Sequence, residues 1–128
     1  MSIRIEVAPG EIIDKLTILE IKRERIGDEA KRKNVAHEWD VLTRDLDAAV
    51  KKSAELEALR AKLKEINLKL WVIEDDIRDC ERAKDFGAKF VELARAVYFT
   101  NDERAAVKRQ INELLGSAIM EEKSYAAY

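Results

Sequence analysis

Six residues, Arg60, Lys64, Asn67, Trp71, Glu74 and Arg78, follow one another at steps of four and three. On a helix that spacing puts them on one face, because residues three and four apart are surface neighbours. Two guanidinium groups and an ammonium there can hold a phosphate or carboxylate, and the amide and indole add donors. The bland alternative is a solvated flank of an apolar seam, of the kind coiled coils carry at their edges. Glu74 and Arg78 are four apart in the favourable order, as are Glu65 and Lys69, which supports the bland reading. A second polar set, Glu11, Asp14 and Lys15, with Glu20 and Lys22 beyond it, lies in a stretch dominated by isoleucine and leucine. Each must reach water at a helix end or be paired inside the protein. A buried Asp14 or Lys15 meeting another helix is a site candidate, although structural pairing is the simpler account.

No familiar catalytic motif is present, and the catalytic residues, if there are any, are not identified. Glycine-rich phosphate loops, HExxH and nucleophile elbows are absent. His37 has no acid partner in its own turn and reads as a surface residue. Cys80 continues an apolar seam and reads as buried and inert. With one histidine and one cysteine, no soft-metal site and no cofactor are expected.

The elements that must position these residues are helices. Four glycines and one proline in 128 residues leave little material for turns, which favours a few long helices in a single domain over 1–128. "IRIEV" (3–7) alternates apolar and polar, and predicts one short N-terminal strand with no partner in its own chain. Pro9 opens a first helix that Gly27 stops. Its apolar residues Ile12, Ile13, Leu16, Ile18, Leu19, Ile21 and Ile26 cover more than half of the circumference, so this helix should pack on several sides. Asp28 caps a second helix near 29–50, with seam Val35, Trp39, Leu42, Leu46 and Ala49. Ser53 caps a third near 54–84, about 45 Å long. Its seam of Leu56, Leu59, Leu63, Ile66, Leu70, Ile73, Ile77 and Cys80 demands a partner helix, expected to be the second helix in an antiparallel hairpin.

A fourth helix through Phe86, Phe90, Leu93 and Val97 follows a break near "KDFG". "TNDE" (100–103) has the form of a capping box and predicts a fifth helix, which Gly116 ends. The tail 117–128 is expected to add a turn or two and then fray. The fold class is thus all-α, four to five helices built on a long antiparallel hairpin.

Charge narrows the partners. Charged residues make up 39% of the chain, against about 25% in ordinary soluble domains, yet the signs interleave to a net −2. No basic face is available for nucleic acid. No apolar run approaches the ~20 residues of a membrane span, and nothing reads as a signal peptide. A cytoplasmic location is expected.

"VAPGEIIDKLTILEIKRERI" and "LWVIEDDIRDCERAKDFGAKFVELARAVYFTNDERAAVKRQINELLGS" together resemble a family of small uncharacterised bacterial proteins. The segment "GEIIDKLTILEIK" also resembles one found in proteins that carry glycosyltransferase domains. The resemblance covers most of the chain outside 40–62 and implies surface-polysaccharide work, with no catalytic residue to carry over. "LRAKLKEINLKLWVIEDDIR" is similar in texture to the long helix of all-helical chorismate mutases, but the residues after it lack that family's Arg and Gln/Glu constellation. Two functions follow as expectations. One is a non-enzymatic adaptor, homodimeric through "IRIEV" and the first helix, with a protein partner in polysaccharide assembly. The other is a small-metabolite enzyme or anion binder using the polar stripe.

Overall fold

The computed structural model describes residues 1–128 as four helices: α1 (Pro9–Arg25), α2 (Glu29–Ala49), α3 (Ala54–Arg82) and α4 (Ala88–Leu114). The all-α expectation holds. Local chemistry explains the starts. Pro9 occupies the first turn of α1, where a missing N–H costs nothing. The Asp28 side chain accepts from the Ala30 N–H, and Ser53 Oγ accepts from the Leu56 N–H.

α1 is the helix that every other one touches. Ile13, Leu16, Leu19 and Ile21 are essentially inaccessible, and Thr17 and Asp14 are buried with them, as the broad apolar stripe requires. The core combines Ile13, Leu16 and Leu19 with Val35 and Leu46 of α2, Leu56, Leu63 and Ile66 of α3, and Val107 and Ile111 of α4.

Four sequence expectations need correction, the last of them the C-terminal tail. The long antiparallel hairpin is α3–α4, not α2–α3. Arg78 and Val97 line one groove, and Ile66 and Val107 another, so the two helices run in opposite directions. The reason lies in α1, whose wide stripe captures α2: the Arg23 guanidinium sits 4.7 Å from the Trp39 ring, and Lys15 pairs with Glu38 at 2.9 Å. The linker from Val50 to Ser53 is extended at both ends, so it carries the chain across the bundle instead of folding it back. The α3 seam is thereby left to α1 and α4.

The second correction joins the predicted fourth and fifth helices. α4 runs unbroken through "TNDE", and Thr100, the expected cap, is 1% exposed inside it. An uninterrupted α3 seam needs an uninterrupted partner, and burial of Thr100 and Val107 outweighs the local capping preference. The third concerns residues 1–8, which form no strand. No backbone hydrogen bond from residues 1–7 reaches the rest of the chain, because the bundle offers no sheet edge to pair with.

The break near "KDFG" is present. Lys84 adopts φ 54° while Asp85 N–H reaches Cys80 O and Lys84 N–H reaches Glu81 O, the bonding of a Schellman motif. The tail 117–128 is not helical. It runs back along α4, where Glu121 meets Lys108 at 3.4 Å, Glu122 meets Arg109 at 3.3 Å and Lys123 meets Asp102 at 3.6 Å. Tyr128 closes on Phe99, with ring centroids 4.5 Å apart.

Candidate functional site

Where α1 packs against both α3 and α4, polar side chains of all three helices converge. Asp14 is 2% exposed, too buried to remain unpaired. Arg104 of α4 donates to it from both Nε, at 2.9 Å, and Nη2, a bidentate pairing. Asn67 Nδ2 donates to Asp14 Oδ1 and to Thr17 Oγ1, each at 2.9 Å. Thr17 completes the network by donating back to the Asp14 carbonyl at 2.7 Å. The Arg104 guanidinium is held above its ordinary pKa by the Asp14 hydrogen bond, against an opposing effect of burial.

One helical turn nearer the α1 N-terminus, Lys108 meets Glu11 at 2.7 Å. Burial would push the Lys108 ammonium down, but the Glu11 hydrogen bond and the Asp14, Glu11 and Glu121 charges more than offset it, so the net shift is upward. Beside this pair Gly10 N–H donates to Asn112 Oδ1 at 2.7 Å. A Cβ on Gly10 would meet the Lys108 carbonyl oxygen at 2.6 Å, so the glycine permits the close approach of α1 to α4.

The predicted stripe on α3 divides into two parts. Arg60 and Lys64 are spent on α1: Arg60 donates to Glu20 at 2.8 Å and Lys64 to Glu24 at 2.8 Å. Asn67 belongs to the buried network. Trp71, Glu74 and Arg78 continue beyond it, with Arg78 on Glu74 at 3.1 Å in its own helix. Together with Ile18, Ile21, Leu70, Val97, Asn101 and Arg104 they line an open groove of about 480 Å³, within the size range of small-molecule sites. Asp75 lines it too, so its carboxylates, Glu74 and Asp75, match its guanidinium groups, Arg78 and Arg104, in number. Of the N-terminal polar set, Asp14 joins the buried network with Asn67 and Arg104, both of which line the groove, and Glu11 pairs with Lys108. Lys15 points away, to Glu38 of α2.

Sequence reasoning missed Arg104, Lys108 and Asn112. Each lies at least 90 residues from its α1 partner, and the usable signal was indirect: a lone carboxylate in an apolar stretch requires a cation from elsewhere. No three His, Cys, Asp or Glu side chains are grouped to hold a metal, and no helix is long and apolar enough to cross a membrane.

The remaining feature is apolar. The core draws on α3 only as far as Ile66 and on α4 only from Val107 onward. The outer half of the hairpin lies beyond it, with Ile73 and Cys80 buried there. At its tip Phe86 stands edge-on to Phe90 at 5.3 Å, and Phe86 and Val91 are 54% and 52% exposed. Their charged neighbours in sequence, Lys84, Asp85, Lys89 and Glu92, are exposed too.

The chain belongs to a family of unknown function, DUF6165, whose family model matches residues 3–128. No curated protein and no solved structure gives a match.

Proposed function

We propose that the protein is a non-enzymatic helical adaptor of the bacterial cytoplasm. It works as a homodimer and docks a protein partner on the outer end of the α3–α4 hairpin. The observation that carries this reading is the apolar tip, with Phe86 and Val91 more than half exposed among exposed charged sequence neighbours. Apolar surface rimmed by polar groups is the usual form of an interaction site, and aromatic anchors supply most of the binding energy of such sites. The tip stands outside the common core, so it can be covered without disturbing the bundle. The ion pairing also favours an adaptor over a catalyst, since Arg60, Lys64, Arg104 and Lys108 are each committed to a carboxylate of α1. The likeness of "GEIIDKLTILEIK" to a segment found with glycosyltransferase domains supports a place in surface-polysaccharide assembly.

The test is a Phe86→Ser, Val91→Ser double variant. Both sites are exposed, so stability should move by no more than about 0.5 kcal/mol at each. The amount of partner recovered with the tagged chain from its native cell should fall at least tenfold, about 1.4 kcal/mol of binding. Recovery unchanged by the double variant overturns the reading.

A second reading has one observation in its favour. The 480 Å³ groove joins an apolar wall, Ile18, Ile21, Leu70 and Val97, to Trp71, Arg78 and Arg104, and the Arg104 Nη1 donors have no protein partner. A small anionic metabolite would fit that chemistry.

A further inference from the structure

Residues 1–7 carry an unused set of backbone donors and acceptors, and Ile3 and Ile5 are 80% and 76% exposed. Ala8, by contrast, is buried, and Gly10 is fastened to Asn112, so the segment springs from a fixed point at one end of the bundle. We propose that this segment pairs with its counterpart in a second copy of the chain, as an antiparallel two-stranded ribbon centred on Ile5. The inference rests on the reading of the protein as a homodimer and identifies how the copies join.

The order of side chains selects both the occupant and the register. In antiparallel pairing, directly opposed residues share a face. With Ile5 opposite its own counterpart, Arg4 lies opposite the partner's Glu6 and Glu6 opposite the partner's Arg4. Ile3 and Val7 are then opposed on the other face. Every pair is favourable: two cross-strand ion pairs on one side, and an unbroken strip of Ile3, Ile5 and Val7 from both copies on the other. Moving the centre to Arg4 or to Glu6 sets like charges against each other, and so does parallel in-register pairing. A centre between residues flips apolar side chains against charged ones. Centres at Ile3 or Val7 avoid like charges but leave Arg4 and Glu6 without their cross-strand partners, so the Ile5 register alone forms both ion pairs.

A ribbon of two short strands is marginal alone and needs an apolar floor. Leu114 and Ile119, 39% and 42% exposed, lie at the same end of the bundle as the segment's attachment. The Ser117 N–H bonds to the Asn112 carbonyl, and the Asn112 side chain bonds to Gly10. The apolar face of the ribbon has a surface there to rest on.

Charge reversal in the full chain, read by light scattering, decides the matter. The natural chain should show about twice its 14.7 kDa mass. Arg4→Glu alone and Glu6→Arg alone should each raise the dissociation constant at least tenfold. The Arg4→Glu, Glu6→Arg double variant should restore the dimer, because the swap regenerates both ion pairs. Ile5→Cys should form a disulfide-linked dimer under mild oxidation, since residue 5 faces itself. A dimer indifferent to the single reversals, or one not restored by the double swap, overturns the register while leaving the dimer standing. A natural chain that is monomeric at high concentration overturns both, and leaves the hairpin-tip surface to its own test.

Discussion

Arg104 grips Asp14 with two N–H donors across 90 positions of sequence, and it does so where Asp14 has almost no access to water. Removing one member of a buried pair leaves the other uncompensated, at a typical cost of about 3–5 kcal/mol. Asp14→Ala should also deprive Asn67 of its Asp14 Oδ1 acceptor, while Thr17 keeps the backbone carbonyl of residue 14. A double-mutant cycle of Asp14→Ala and Arg104→Ala, followed by urea unfolding, should give a coupling energy above about 1 kcal/mol. Additive losses would mean that the pair does not bind α1 to α4.

Gly10 and Gly27 should respond to alanine in opposite senses. The Gly10 Cβ would collide with backbone of α4, whereas a Cβ at Gly27 meets nothing within 4 Å. Gly10→Ala should cost about 1–3 kcal/mol, the usual range for overpacking. Gly27→Ala, at a position without positive φ, should be stabilising by up to about 1 kcal/mol through the unfolded chain. Thermal unfolding of both variants checks the contrast, and equal effects would contradict the close approach described for Gly10.

Stability should fall in acid partly through Glu24. The hydrogen bond from Lys64 holds its carboxyl below the ordinary glutamate value of 4.5, so the folded state binds that proton less readily than the unfolded state. The contribution is therefore present above pH 4.5 and disappears as pH falls through the depressed folded value. The Lys64 ammonium, raised above 10.5 by Glu24, contributes below that pH and loses its contribution as pH rises through the higher folded value. Glu24→Gln should flatten the acid limb of the urea midpoint plotted against pH. An acid limb of unchanged slope would assign the loss to other carboxylates.

How far these features could be read from sequence depended on how local they were. The caps at Asp28 and Ser53, the seam from Leu56 to Cys80 and the break near Lys84 each arise within a few residues, and all were legible. Pairing of helices was not, because the seam of α3 specifies that a partner exists without saying whether α2 or α4 supplies it. The capping box at Thr100 is a true local preference that tertiary packing overrode. Asp14 announced that it needed a cation, yet nothing near it in sequence points to Arg104. The spacing of the polar stripe is legible in sequence, but its division between the α1 clamps and the groove depends on where α1 crosses α3.

Anion titration separates the two functional readings. Arg60 and Lys64 already hold Glu20 and Glu24, and Arg78 holds Glu74, so phosphate or a dicarboxylate should leave the melting temperature unchanged. A rise that tracks ligand occupancy and disappears in Arg78→Ala or Trp71→Ala would instead establish the groove as a binding site.

The most direct measurement of the adaptor claim is site-specific photocrosslinking in the native cell. A photoreactive residue would replace Val91 at the hairpin tip or, as the comparison, Lys33 on the exposed side of α2. The account predicts a discrete adduct of higher mass from position 91, lost on Phe86→Ser, and none from position 33. No adduct from position 91, or the same adduct from both positions, would contradict it.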